Sequence, residues 1–141
     1  MTGSLTSLKL HRGHATKILE WCKKKYGRSK YNGRYPDIAF KKSDYYTGED
    51  WGYYDEEEQL IFVSKDKHEN LEDLVHTIIH EYTHYLQSMH HYQILALYLE
   101  HHEHPLEIQA EETANRDTPE CMDFLRIHYN LEPIPIDIII D

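Results

Sequence analysis

The chain has 141 residues and a mass of 16.9 kDa, one domain's worth of sequence. Leu, Ile, Val and Phe supply 32 of those residues, enough for a modest core but only just above the composition at which disorder is expected. No apolar run approaches the ~18 residues of a membrane span, and two cysteines, Cys22 and Cys121, exclude a disulfide scaffold and a four-cysteine zinc module.

The net charge of −10 is unevenly placed: residues 1–42 carry +9 and residues 43–141 carry −19. The basic part is expected to pack on or beside the acidic remainder. Nucleic acid is not an expected partner, because a strongly acidic whole repels phosphate. The scarcity of cysteine and a start without a secretory pattern point to a cytoplasmic location and to no membrane partner. Histidine, with 12 copies, outnumbers both Gly and Pro.

Residues 5–26 carry Leu5, Leu8, Ile18, Leu19, Trp21, Cys22 and Tyr26, with helical spacing from Ala15 onward. Gly27 after Lys23-Lys24-Lys25 is a helix stop with cations in the last turn. His11 and His14 are expected on the surface of this helix, and the two cysteines are expected as small buried hydrophobes. Asn32-Gly33 marks a turn. Three short strands follow, over 37–42, 50–55 and 59–65, the last two joined by an acidic hairpin tip, Asp55 to Glu58.

Asn70 opens the clearest helix, with Glu72 and Asp73 in its first turn. Leu71, Leu74, Val75, Ile78, Ile79, Tyr82 and Leu86 form its apolar stripe. A further helical stretch is expected over 93–102, another from Pro105 to about Asn115, and a last one from Thr118-Pro119 to about Tyr129. The tail, 133–141, alternates Ile134, Ile136, Ile138 and Ile140 and reads as a strand or an extended arm.

The chemistry-bearing motif stands inside the clearest helix: His80-Glu81-Tyr82-Thr83-His84, or H-E-x-x-H. Residues four apart stack on one helix face, so both imidazoles can reach one metal ion. Glu81 lies beside that face, placed to take a proton from a metal-activated water. A catalytic zinc site needs a third protein ligand, and the residues leave three sources open. One is His90, at metzincin spacing. That motif has Gly where this chain has Gln87, and a helix continuing past Gln87 would turn His90 about 120° away from His84 at ~100° per residue. The second is a carboxylate from the Pro105 helix. The third is His101, His102 or His104.

His80 to Gln87, followed by His104-Pro105-Leu106-Glu107-Ile108-Gln109-Ala110-Glu111-Glu112-Thr113-Ala114, resembles small gluzincin-type zinc metallopeptidases. These include minimal bacterial and phage-encoded members and the ImmA/IrrE-like group. The resemblance spans about residues 37–115 and rests on H-E-x-x-H plus a P-x-E-x-x-A-x-x-x-A helix, in which Glu107, Ala110 and Ala114 match. It implies one Zn²⁺ per chain held by His80, His84 and Glu107, with Glu111 accepting the second ring N–H of a ligand histidine. It also implies hydrolysis of a peptide or protein substrate with Glu81 as general base, the third strand as a substrate-pairing edge, and a phage or mobile-element origin. An oxyanion donor is expected from Tyr92, Tyr98, His101 or His102. Two rivals remain: a catalytically silent zinc-binding structural or regulatory module, and a DNA-associated SprT-like protease, which would take a histidine in place of Glu107.

The expected architecture is a single α+β domain over 1–141. It comprises an N-terminal helix, a small three-stranded sheet, the H-E-x-x-H helix and a glutamate helix, with a core at about 37–115. A C-terminal helix and the Ile-rich tail, 118–141, follow.

Overall fold

A computed structural model describes residues 9–43 and 51–131. The chain forms an α+β fold, with α1 (Arg12–Tyr26), β1 (Asp37–Lys41), β2 (Gly52–Asp55), β3 (Leu60–Ser64), α2 (Leu71–Leu86), α3 (Met89–Ala96) and α4 (Pro105–Tyr129) in order. A single 3₁₀ turn, His101–Glu103, separates α3 from α4. Leu5, Leu8, residue 50 and the Ile-rich tail lie outside the described residues.

The N-terminus of α1 is closed by histidines. The His11 ring accepts from the Gly13 N–H, and the His14 Nδ1 accepts from the His11 N–H at 3.1 Å. This overturns the surface position expected for His14, which is 2% exposed and packs edge-on to Tyr129. At the other end Gly27, with φ +80°, donates its N–H to the Lys23 carbonyl. The expected cation cluster, Lys23 to Lys25, sits in that last turn, and Lys25 reaches Glu120 on α4 at 2.9 Å.

The sheet order is β1-β3-β2, with β1 parallel and β2 antiparallel to β3. The strand expected to offer an edge to substrate, β3, is therefore the central one. Its Ile61, Phe62 and Val63 are fully buried, because both of its backbone edges are used in pairing and both faces are covered. The strand with an outer edge beside the active-site helix is β2. Gly52 makes the close approach possible: a Cβ there would lie 2.8 Å from the Phe62 carbonyl oxygen and 2.9 Å from Thr77 Cγ2 of α2.

The Asn70 side chain caps α2, accepting from the Asp73 N–H at 2.8 Å. Its stripe of Leu71, Leu74, Val75, Ile78, Ile79 and Tyr82 is fully buried between the sheet, α1 and α4. The helix ends at Leu86 although no glycine follows. Gln87 leaves it in extended backbone, φ −89° and ψ 161°, so a left-handed stop is not needed. The expectation that the helix would continue to His90 is thus corrected.

Two further boundaries differ from expectation. The helix expected over 93–102 begins earlier, capped by Ser88, and ends at Ala96. The break expected near 115–118 is absent, and α4 runs through Pro119. Proline removes one N–H from the helix ladder and costs ~3 kcal/mol in a helix interior. The Thr118 hydroxyl donates to the Ala114 carbonyl at 2.6 Å at that point. Beyond it, Cys121, Met122 and Leu125 are buried against α1 residues including Ala15, Ile18 and Cys22, and a buried Leu alone contributes ~1.5–3 kcal/mol. The hydrophobic core therefore draws on α1 and on the second half of α4 as well as on the sheet and α2. Cys22 and Cys121 are buried and unpaired, as expected.

Candidate metal centre

The two ligand-bearing helices lie side by side because Ala110 and Ala114 present a small-residue face on α4, the face that also carries Glu107. Both alanines are completely buried. His80 and His84 rise from α2 toward this face, four residues apart, with ring centroids 5.0 Å apart. Pro105 starts α4, and the buried His104 caps it by accepting from the Leu106 N–H at 3.1 Å. That start fixes Glu107 in the first turn, aimed at both histidines.

Glu107 Oε1 is 3.1 Å from His80 Nε2 and 3.1 Å from His84 Nε2. One ligand atom from each of the three residues falls within 4.8 Å of the others, and among the described residues no other His, Cys, Asp or Glu group is gathered this way. The far ring nitrogens are also held. His80 Nδ1 donates to Glu111 Oε1 at 3.1 Å, and His84 Nδ1 donates to Gln87 Oε1 at 2.8 Å. Glu111 is therefore where the resemblance placed it, and Gln87 is a contact that sequence reasoning did not assign.

These contacts test whether a cation fits. A neutral imidazole has one donor and one acceptor nitrogen. Once Nδ1 donates, Nε2 is a lone pair, and two such lone pairs facing a carboxylate oxygen repel unless positive charge sits between them. A divalent metal ion supplies that charge, and the N,N,O donor set suits zinc. Without metal, protons must supply it. Burial opposes charge on both rings, yet the Glu107 hydrogen bonds and the nearby Glu81 charge hold the His80 and His84 pKa values above the ordinary value. Burial likewise works against the Glu107 carboxylate, but hydrogen bonds from His80, His84 and Tyr92 outweigh it and hold its pKa well below the carboxylate range.

Glu81 is 8% exposed, with its Cγ 3.6 Å from the point where a Cβ on Gly52 of β2 would stand. It lines a groove of about 330 Å³ shared by Gly52, Tyr53, Tyr54, His84, Tyr92 and Glu107. The Tyr92 hydroxyl donates to Glu107 Oε2; its pKa is pushed up, first by burial and then by that bond. His101 reaches the same oxygen at 3.2 Å from a side chain that is 77% exposed.

No family model, curated protein or solved structure matches the chain. The donor set therefore carries the functional reading alone.

The remaining candidates fall elsewhere. His90 is exposed on α3 and outside the cluster. His104 spends its Nε2 on the Tyr92 carbonyl at 2.9 Å and its Nδ1 on the helix cap, so it serves structure. His102 lines an adjoining pocket with Ile108, Glu111 and Glu112. Tyr98 is 80% exposed and does not line the groove. No helix among the described residues is long and apolar enough to cross a membrane.

Proposed function

We propose that the chain is a zinc metallopeptidase of the gluzincin kind, cleaving peptide or protein substrates, with His80, His84 and Glu107 as the metal ligands and Glu81 as the general base. The observation that carries this reading is the convergence of two imidazole Nε2 atoms on one carboxylate oxygen, each at 3.1 Å, with a second carboxylate, Glu81, in the same groove. Zinc bound there would supply a Lewis acid that polarises a peptide carbonyl and acidifies a water molecule.

The chain's own residues account for the rest. Glu81 takes the proton of the attacking water and returns a proton to the leaving amine. Its groove position beside both ligand histidines suits that exchange. β2 supports binding of an extended peptide. In its antiparallel pairing with β3, the Trp51 carbonyl accepts from the Ser64 N–H at 2.8 Å. By alternation, the backbone groups of Gly52 and Tyr54 face the other edge, where a substrate strand can pair. Tyr92 and His101 flank the groove and are the side chains closest to the role of carbonyl-oxygen donor.

The test is metal analysis and peptide hydrolysis on the full chain. Wild type should hold about one Zn²⁺, and His80→Ala and His84→Ala should lose it. Glu81→Gln keeps size and hydrogen bonding but cannot accept the proton, so metal should stay while hydrolysis falls ~10²–10⁴-fold. A wild type that binds no added zinc removes the reading. Zinc without turnover on a peptide library replaces it with a silent zinc module.

A further inference from the structure

Gln87 immediately follows the active-site helix and is 7% exposed, unusual for a long polar side chain unless it is fully bonded. Its amide makes three contacts. Nε2 donates to the Leu106 carbonyl at 2.9 Å and to Gln109 Oε1 at 2.7 Å, and Oε1 accepts from His84 Nδ1 at 2.8 Å.

The orientation of this amide is not free. A backbone carbonyl can only accept, so the group facing the Leu106 oxygen must be the NH₂. Its oxygen then faces His84 Nδ1, which must carry a proton. A neutral His84 is thereby held as the Nδ1–H tautomer, with its Nε2 lone pair toward Glu107. Because Leu106 adjoins Glu107, the same amide ties the end of α2 to the first turn of α4. One side chain thus bears on two of the three candidate ligands.

We propose that Gln87 is a positioning residue that sets the tautomer and direction of the His84 ring for metal binding, acting through its amide oxygen. This rests on the metal reading of the site and extends it to a residue outside the H-E-x-x-H motif. The counterpart on the other histidine is Glu111, an acidic side chain that is 52% exposed. His84 uses a neutral, enclosed acceptor instead, which leaves the buried side of the site without a second uncompensated carboxylate.

The experiment is a competition titration of Zn²⁺ against a chelator on the full chain, comparing Gln87→Leu with Gln87→Glu. Leu removes the acceptor. Glu keeps an acceptor for Nδ1 but has no donor for the Leu106 carbonyl. Zinc affinity should fall ~10–100-fold for Gln87→Leu, the usual effect of losing an outer partner of a ligand histidine, and stay within a few-fold of wild type for Gln87→Glu. A purely structural brace between α2 and α4 would make both variants lose equally; that result, or full affinity in Gln87→Leu, overturns the proposal. Nitrogen-15 spectra of zinc-loaded wild type give a readout that needs no variant: His84 should carry its proton on Nδ1, and a proton on Nε2 would overturn the proposal. Absence of zinc from wild type would instead defeat the metal reading itself. In that case, zinc-free spectra above the His84 pKa decide the tautomer, with Nδ1–H supporting the amide's role and Nε2–H ending it.

Discussion

His80 Nδ1 and Glu111 Oε1 are 3.1 Å apart, joining α2 to α4 on the solvent side of the cluster, while Glu107 meets the other nitrogen of the same ring. One imidazole is thus held between two carboxylates one helical turn apart. Their exposures differ sharply: the Glu107 side chain is 9% exposed and that of Glu111 is 52% exposed. The buried carboxylate is the ligand candidate and the exposed one is its ring's outer partner.

That difference orders the zinc affinities of four proteins. Glu107→Ala leaves two histidines and should lose the most. Glu111→Ala removes an outer partner and should lose ~10–100-fold. His90→Ala should titrate like wild type, because His90 is exposed on α3 and outside the cluster. A titration in which His90→Ala loses zinc and Glu107→Ala does not would reassign the third ligand.

Gly52→Ala should destabilise the protein by ~1–3 kcal/mol, the usual range for overpacking. The added Cβ meets the Phe62 carbonyl oxygen at 2.8 Å, a backbone atom of the central strand, so relief requires β2 to move. Urea unfolding would read the change, and a midpoint equal to wild type would show that Gly52 does not sit this close to Phe62 and Thr77.

The capping histidine of α1 makes part of the stability depend on pH. Burial first, and the neighbouring His11 charge second, lower the His14 pKa from 6.5 to about 4. The unfolded chain therefore binds the proton more readily than the folded one between those values. The His14 contribution is fully present above pH 6.5 and is lost as pH falls toward 4. His14→Gln retains an acceptor for the His11 N–H and does not titrate. Urea midpoints measured from pH 7.5 down to 4.5 should fall less steeply in His14→Gln than in wild type, and parallel slopes would exclude His14 as the source.

Pro119→Ala should raise the urea midpoint. Alanine restores an N–H for the Asn115 carbonyl in a helix that already continues through this position. The gain should be ~1–3 kcal/mol, the cost of interior proline less the freedom returned to the unfolded chain. A lowered midpoint would mean that the packing of Cys121 and Leu125 against α1 depends on the proline.

The sequence by itself determined the α+β class, the three strands, the start of α2 and the placing of His80, Glu81 and His84 on it. All of these depend on local chemistry: a capping Asn70, an apolar stripe at helical spacing, short apolar runs between turn residues. It also marked Glu107 and Glu111 as one-turn neighbours on a following helix. Tertiary structure decided the rest. Sheet order depends on long-range pairing, so only the fold made β3 central and gave β2 the outer edge beside the site. The ends of α2 and α4 were set by contacts distant in sequence: Gln87 leaves its helix bonded to Leu106 and Gln109, and Pro119 stays in its helix with neighbours buried against α1. His14 turned inward, against the expectation for a polar residue near a helix start, because its ring nitrogen found the His11 N–H and its ring found an edge-on partner in Tyr129, 115 residues later. Local periodicity carries no information about such partners: the motif spacing picked out His80 and His84, but only packing brought Glu107, rather than His90, His102 or His104, to both of their Nε2 atoms.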